Sequence, residues 1–156
     1  MIKIPADFER QKEELLKRKP LLQDLRIVPM RESALSGKTA EVAAFIELCW
    51  AETYGSHDRF NYEADYLDWA FGQEGFDDDV SLVALKGGDV IGLILSAPRT
   101  LHYVNRDFRI TVLTALSIHP RIKGEGLGRY LFLQAQGCAA RSLPFCIQWY
   151  HSSLAN

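Results

Sequence analysis

The sequence predicts an α+β fold in which helices flank a mixed, mainly antiparallel sheet. Two observations carry this prediction. First, two helical patterns come before three strand patterns that are joined by short polar turns. Second, one further helix and one further strand follow them. Helices and strands grouped in this way are typical of α+β domains, and 156 residues are enough for one domain with its own core.

Composition and charge exclude several classes of function. Hydrophobic residues make up 47% of the chain and charged residues 24%, as in ordinary globular proteins. The net charge of −2 gives no general attraction to nucleic acid or to an acidic membrane. No apolar run approaches the ~20 residues that span a bilayer. We therefore expect neither a nucleic-acid partner nor a membrane partner.

The N-terminus and the cysteines indicate a cytoplasmic protein without a metal site. Residues 1–7 lack the apolar core of a signal peptide. The three cysteines are scattered and odd in number, as expected for small core residues in a reducing compartment. No cysteine or histidine pair has the spacing of metal ligands.

A helical extension, residues 1–24, is expected to precede the main domain, residues 25–156. The charged pattern over 6–18 predicts a solvated helix that lies on the domain through a thin apolar edge. Pro20 ends this helix, and residues 25–29 form the first strand. The apolar edge consists of Phe8, Leu15 and Leu16.

Two helices are predicted next. Between residues 42 and 53, apolar side chains recur at helical spacing. We predict Thr39 as the N-cap of this helix and an end near Gly55. After a polar loop, a second helix runs from about Glu63 to Phe71, and a break rich in glycine and acidic residues follows.

The strands come after this break. A Gly-Gly pair between residues 80–85 and 90–96 predicts a hairpin, and Pro98 is expected to interrupt the second of these strands or its continuation. The continuation of the second strand is predicted at 99–103, and the remaining strands are predicted at 108–119 and 144–150.

A glycine-rich turn stands where the strand ending at His119 gives way to a helix. Residues 123–128 read Lys-Gly-Glu-Gly-Leu-Gly. Glycine lets backbone N–H groups come close to a ligand, and the first turn of a helix offers unpaired donors and a positive dipole end. The turn therefore predicts a phosphate site, with a turn that binds no ligand as the alternative. The Walker and dinucleotide motifs do not fit this spacing.

This turn resembles the pyrophosphate loop of the GNAT superfamily of acyl-CoA N-acyltransferases, with Lys123 in the first position. Residues 116–120 resemble the fourth strand of that fold, and the order of predicted elements follows it through the fifth strand. The segment 59–71 resembles N-myristoyltransferases of the same superfamily, as do 90–94 and 114–119. The glycine turn departs from N-myristoyltransferases and looks like that of an acetyl-CoA enzyme.

The resemblance implies acyl transfer from acetyl-CoA, or another acyl-CoA, to a small-molecule or peptide amine by direct attack. A bulged fourth strand would aim the backbone N–H groups of Ala115 and Leu116 at the thioester oxygen, and no metal is implied. The residues implied in coenzyme binding are Ile118, Lys123, Gly124, Glu125, Gly126, Leu127, Gly128 and Arg129.

The general base is less well indicated. The fourth strand carries no acidic residue, so we assign the role to Glu52, with Asp58, Asp65 and His119 as alternatives. Each carboxylate is also typical of a solvated surface, and His119 before Pro120 is typical of a structural hydrogen-bonding residue. Three aromatic residues in the second helix are more typical of the core than of a substrate wall. They are Tyr66, Trp69 and Phe71.

A GNAT domain continues past its fifth strand, whereas this sequence stops at Asn156. We therefore expect the first half of a longer protein, or a partner that completes the sheet. A homodimer through the apolar edge strand 145–150 is the favoured form. The alternative to an enzyme is a non-catalytic module that binds acyl-CoA or has a structural role.

Overall fold

The computed structural model describes residues 6–55, 62–72, 78–142 and 145–148. These residues form four α-helices and a five-stranded sheet in the order β1-β2-β3-β4-β5. Neighbouring strands are antiparallel except β4 and β5, which are parallel. The predicted α+β class is therefore confirmed. The helices are α1 Ala6–Arg18, α2 Thr39–Tyr54, α3 Ala64–Phe71 and α4 Leu127–Ser142. The strands are β1 Arg26–Pro29, β2 Leu82–Lys86, β3 Asp89–Tyr103, β4 Arg106–Ile118 and β5 Phe145–Gln148.

Two apolar clusters sandwich the sheet. Side chains alternate along β3, so that Leu93 and Leu95 belong to one cluster and Ile94 to the other. The first cluster joins the sheet to α2 and α3, and the second joins it to α4 and the N-terminal segment. Buried helix residues of the first cluster are Val42, Ile46, Leu67 and Phe71. Those of the second include Leu22 of the N-terminal segment and, from α4, Leu127, Tyr130, Leu131, Ala135 and Ala139.

Two local predictions are wrong. Strand β3 is not interrupted at Pro98, which pairs with Thr111 of β4. Because β2 pairs with β3 only as far as Ile94, the described residues place a strand on one side only of β3 at Pro98. Proline is tolerated on such an open edge. Thr39 is the first residue inside α2 rather than its N-cap, since the turn at Gly37 brings the chain into the helix at Lys38.

Some predictions fall partly outside the described residues. The polar loop predicted between α2 and α3, residues 56–61, lies outside the described residues. So do residues 73–77, which make up most of the predicted acidic break. The predicted final strand is described as Phe145–Gln148. The hairpin turn between β2 and β3 is confirmed, with positive φ angles at Gly87 and Gly88.

Helix α4 approaches the sheet closely at Gly92. A Cβ atom at this position would lie 3.1 Å from each of Ile118 Cδ1, Leu127 Cδ2 and Leu131 Cδ1. Both leucines are almost fully buried. The missing side chain of Gly92 therefore lets the first turns of α4 pack at the end of β4, and this contact sets the position of the glycine-rich turn between them.

We expect Gly92→Val to lower the free energy of unfolding by about 1–3 kcal/mol, because overpacking forces the surrounding side chains out of position. Gly137→Ala is the control, since a Cβ there lies 3.9 Å from its nearest neighbour. Alanine in the α4 interior should raise the unfolding free energy by about 0.5–1 kcal/mol. Chemical denaturation measures both, and equal stabilities for Gly92→Val and the wild type would contradict the close approach of α4.

Candidate functional site

Strand β4 bulges where it passes β3. Thr114 pairs with Leu95 and Ser117 with Leu93, so Ala115 and Leu116 together stand opposite one residue, Ile94. Ala115 has a φ of 49°, in the left-handed region, and a bulge of this kind re-aims backbone and side chains. The bulge expected in the fourth strand is present, at the two residues assigned as oxyanion donors.

Aromatic side chains from α2 and from the residues just before α3 hold this bulge. The Trp50 indole Nε1 donates to the Leu116 carbonyl at 3.3 Å. The Tyr62 hydroxyl lies 2.5 Å from Thr114 Oγ1. Burial raises the pKa of the Tyr62 phenol, and hydrogen bonds from Thr114 and the Ala115 backbone partly offset this rise. Trp50 and Tyr62 also meet edge to face, with centroids 5.3 Å apart.

Further contacts between aromatic rings lead from Tyr62 outward along α3. Tyr62 contacts Tyr66, and Tyr66 contacts Trp69. Phe71 is buried as predicted, but the prediction that Tyr66 and Trp69 are core residues is wrong, because they are 41% and 81% exposed. The inward face of this eight-residue helix is set by Leu67 and Phe71, one turn apart.

The glycine-rich turn presents backbone donors. Gly124 and Gly126 have φ angles of 86° and 84°. The first bond into α4 is Tyr130 N–H to the Gly126 carbonyl at 3.0 Å. Among the described residues, the N–H groups of Gly124, Gly126, Leu127 and Gly128 have no acceptor, and Gly124 and its neighbours on both sides are exposed.

Helix α1 and the residues after it lie beside this turn. Lys19 Nζ lies 3.3 Å from the Gly124 carbonyl and 3.4 Å from Glu125 Oε2. Arg129 Nη2 donates to Gln11 Oε1 at 3.1 Å. These contacts engage a carbonyl and side chains of the turn but none of its four unpaired N–H groups, so the donors stay available.

A groove of about 480 Å³ connects the bulge to the turn. Leu116 stands at the bulge end, and Gly128 and Arg129 stand at the turn end. Ile118, half-buried at the end of β4, lies beside Gly128. The groove lining includes Phe8, Gln11, Leu116, Arg129, Phe132 and Gln136.

The candidate bases are not gathered at the bulge. Glu52 is exposed on α2, about 200° around the helix axis from Trp50, which faces Leu116. Asp65 is exposed on α3, and Asp58 lies outside the described residues. His119 Nδ1 accepts from Arg121 N–H at 3.2 Å, in keeping with the structural role considered for it.

Metal and membrane features are not found in the part of the chain that the structure describes. Its His, Cys, Asp and Glu side chains form no group of three or more that could hold a metal ion. None of its helices combines the length and apolar content needed to cross a membrane.

The comparisons with known sequences give one family. A model described as the acetyltransferase (GNAT) family matches residues 42–143, from the start of α2 to the end of α4. No curated protein sequence matches the chain. The matched segment contains the bulge, the aromatic residues that hold it and the glycine-rich turn, whereas α1 lies outside it.

Solved structures share the fold. A GNAT family acetyltransferase from Brucella melitensis, in complex with acetyl-CoA, has a TM-score of 0.58 and 22% identity over 83% of this chain and 78% of that one. Saccharomyces cerevisiae N-myristoyltransferase with bound myristoyl-CoA has a TM-score of 0.56 and 18% identity, over 74% of this chain but 28% of the enzyme. An aminoglycoside acetyltransferase from an uncultured soil metagenomic sample, in complex with sisomicin, has a TM-score of 0.54 and 13% identity, over 85% of this chain and 81% of that one.

Alkaline titration tests the half-buried phenol of Tyr62 at the bulge. We expect Tyr62→Phe to remove the latest-ionising component of phenolate absorbance, because the pKa of Tyr62 is raised. Tyr103→Phe, at a tyrosine that is 64% exposed, should leave that component in place. Because the folded pKa lies above the unfolded value, the stability linked to Tyr62 is present below the unfolded pKa and is lost as the pH rises through the folded pKa. A late component that survives in Tyr62→Phe would contradict the assignment.

Proposed function

The chain belongs to the acetyltransferase (GNAT) family, and from that premise we propose that it transfers an acyl group, acetyl in the simplest case, from an acyl-CoA to an amine. The observation that carries the proposal is the set of unpaired backbone N–H groups at the glycine-rich turn, joined by a groove to the bulge of β4. Both features are needed to bind a CoA thioester. The unpaired N–H groups would bind its diphosphate, and the bulge would bind its reacting carbonyl.

The turn is the proposed diphosphate site. The N–H groups of Gly124, Gly126 and Gly128 would donate to phosphate oxygens, and the N-terminal end of α4 adds a positive potential. Arg129, exposed at the start of α4, would add a full positive charge. Lys123 is the second proposed cation.

The bulge is the proposed site of the thioester carbonyl. The N–H groups of Ala115 and Leu116 are the proposed donors to the negative charge that develops on its oxygen. The Tyr62 phenol lies beside these donors, 2.5 Å from Thr114 Oγ1. Trp50 keeps Leu116 in place through its carbonyl.

In the proposed reaction the acceptor nitrogen attacks the thioester carbon and the carbon–sulfur bond then breaks. The amine loses a proton, and the leaving thiolate gains one, so free CoA and an amide are formed. Glu52 is proposed as the base. Since its exposed carboxylate lies on the side of α2 away from Trp50, proton transfer would have to pass through a chain of several water molecules.

The second candidate is a non-catalytic module that binds acyl-CoA, alone or within a longer protein. The placement of Glu52 favours it, since no base candidate among the described residues is brought to the bulge. Coenzyme binding is common to both candidates, and turnover separates them.

Coenzyme binding is tested by thermal unfolding with CoA. A ligand at about 100 times its Kd should stabilise the folded protein by about 2.7 kcal/mol. Arg129→Glu should weaken binding at least about tenfold, which is about 1.4 kcal/mol. Arg106→Glu makes the same charge change at an exposed residue at the start of β4 and should bind as the wild type does. If CoA left the unfolding temperature of the wild type unchanged, both candidate functions would be wrong.

Turnover is tested by release of free CoA thiol from acetyl-CoA in the presence of a panel of primary amines. The enzyme predicts release that depends on the amine, and Glu52→Gln should lower kcat about a hundredfold or more because general base catalysis is lost. Glu41→Gln, a second exposed position on α2, should keep the wild-type rate. Binding without release with any amine would favour the non-catalytic module.

The outer edge of β5 is the proposed dimer contact, since β5 ends the sheet order and has a partner strand on one side only among the described residues. We expect sedimentation equilibrium to give a dimer at micromolar concentration. A charge on an edge strand discourages pairing between sheets, so Ile147→Lys should give a monomer with an unchanged circular dichroism spectrum. A wild-type monomer under these conditions would remove this proposal and leave the coenzyme site unaffected.

A further inference from the structure

A second cavity lies where the β2–β3 hairpin meets the segment that follows β4. This hairpin cavity has a volume of about 560 Å³ and shares no lining residue with the groove between the bulge and the turn. The His119 N–H donates to the Ile91 carbonyl at 2.9 Å, which holds the segment after β4 against β3. Helix α2 forms a further wall with Phe45 and Leu48. The proposed acyl transfer does not involve this cavity.

Much of the lining is apolar. Ile91 and Ile122 contribute from the sheet and from the segment after β4, and Phe45 contributes from α2. The Phe45 ring also meets the His119 ring, with centroids 6.4 Å apart. Leu48 is 50% exposed, so a ligand in the cavity would cover apolar surface that now faces water. Cavities of this size, with apolar walls and a few polar groups, are typical of sites for small molecules.

Charged side chains of both signs line the same cavity. Lys86 and Asp89 are register partners in the hairpin, and residues directly opposite each other on paired strands have neighbouring side chains. Arg121 comes from the segment after β4. All three are exposed, and none of them belongs to an ion pair between described residues. Their charges are therefore available to a ligand.

His119 adds a hydrogen-bond donor to this set. Its Nδ1 accepts from the Arg121 N–H at 3.2 Å, so the ring carries its proton on Nε2. Within the described part of the chain, Nε2 has no acceptor. The cavity thus offers two cations and one N–H donor to an anionic group, and one carboxylate to a cationic group.

We propose that the hairpin cavity binds an α-amino acid with a large apolar side chain. The ligand carboxylate lies between Lys86 and Arg121 and accepts from His119 Nε2. The ligand ammonium group pairs with Asp89, and the apolar side chain packs against the wall that α2 provides. A purely anionic ligand would be repelled by Asp89, and a purely cationic one would be repelled by Lys86 and Arg121. A zwitterion matches both signs.

The test titrates the full chain with L-phenylalanine and two analogues by isothermal titration calorimetry. N-acetyl-L-phenylalanine lacks the ammonium group, and L-phenylalaninamide lacks the carboxylate. Each analogue should bind at least about tenfold more weakly than L-phenylalanine, or about 1.4 kcal/mol. Free glycine, which has no apolar side chain, should not bind measurably. Equal affinity for L-phenylalanine and either analogue would overturn the proposal, as would a lack of L-phenylalanine binding at millimolar concentration.

Two variants assign the charged groups. Asp89→Asn should weaken L-phenylalanine binding about tenfold, which is about 1.4 kcal/mol, and should bind the N-acetyl analogue at least as well as the wild type does. Arg121→Gln should weaken L-phenylalanine and the N-acetyl analogue by equal factors and leave the amide unaffected. Asp68→Asn makes the first change at an exposed residue of α3 outside the cavity and should keep all the wild-type affinities.

The variants also separate this site from the proposed acyl-transfer site. If L-phenylalanine bound instead near the bulge as an amine acceptor, Asp89→Asn and Arg121→Gln would bind it as the wild type does, and the proposal would be wrong. Titration with CoA completes the comparison. A wild type that binds CoA but no amino acid removes this site and leaves the proposed function, whereas binding of the amino acid without CoA removes the proposed function and leaves this site.

Discussion

The arrangement of the site depends on one mismatch in strand pairing. Two residues of β4, Ala115 and Leu116, face the single residue Ile94 of β3. A bulge of this kind leaves backbone groups unpaired inside a sheet, which is costly unless something else holds the strand. Here Trp50 binds the Leu116 carbonyl and Tyr62 binds Thr114, so side chains from the helical layer fix a backbone shape that strand pairing alone does not fix.

The same local geometry relates the bulge to the glycine-rich turn. Gly92 of β3 pairs with Ile118, just past the bulge, and leaves room for Leu127 and Leu131 of α4. The start of α4 is therefore placed relative to the end of β4 by close packing rather than by a flexible connection. The groove between them has fixed ends, which a ligand that must reach from one to the other requires.

The sequence predicts the elements of this fold better than it predicts the contacts between them. Periodicity located the helices and strands, and the glycines located the turn, because these signals are local. The uninterrupted strand at Pro98 was missed, since it depends on where a neighbouring strand ends. The hydrogen bonds of Trp50 and Tyr62 at the bulge were also missed, because each joins residues more than fifty positions apart in the sequence. Within the segment that carries the family resemblance, an aromatic residue at position 62 was the available signal.

Charge at the turn shows why α1 matters to the proposed site. Glu125 stands in the middle of the turn, and a carboxylate there would repel a diphosphate. Lys19, which follows α1, lies 3.4 Å from that carboxylate and 3.3 Å from the adjacent Gly124 carbonyl. Both groups are partly exposed, so the pair adds little to stability. The pair matters for the local electrostatic potential, because Lys19 offsets the negative charge of Glu125. An anion at the turn would then meet the positive ends of the N–H dipoles and the Arg129 guanidinium. The N-terminal segment thus acts at both ends of α1, lining the groove at Phe8 and neutralising the turn at Lys19.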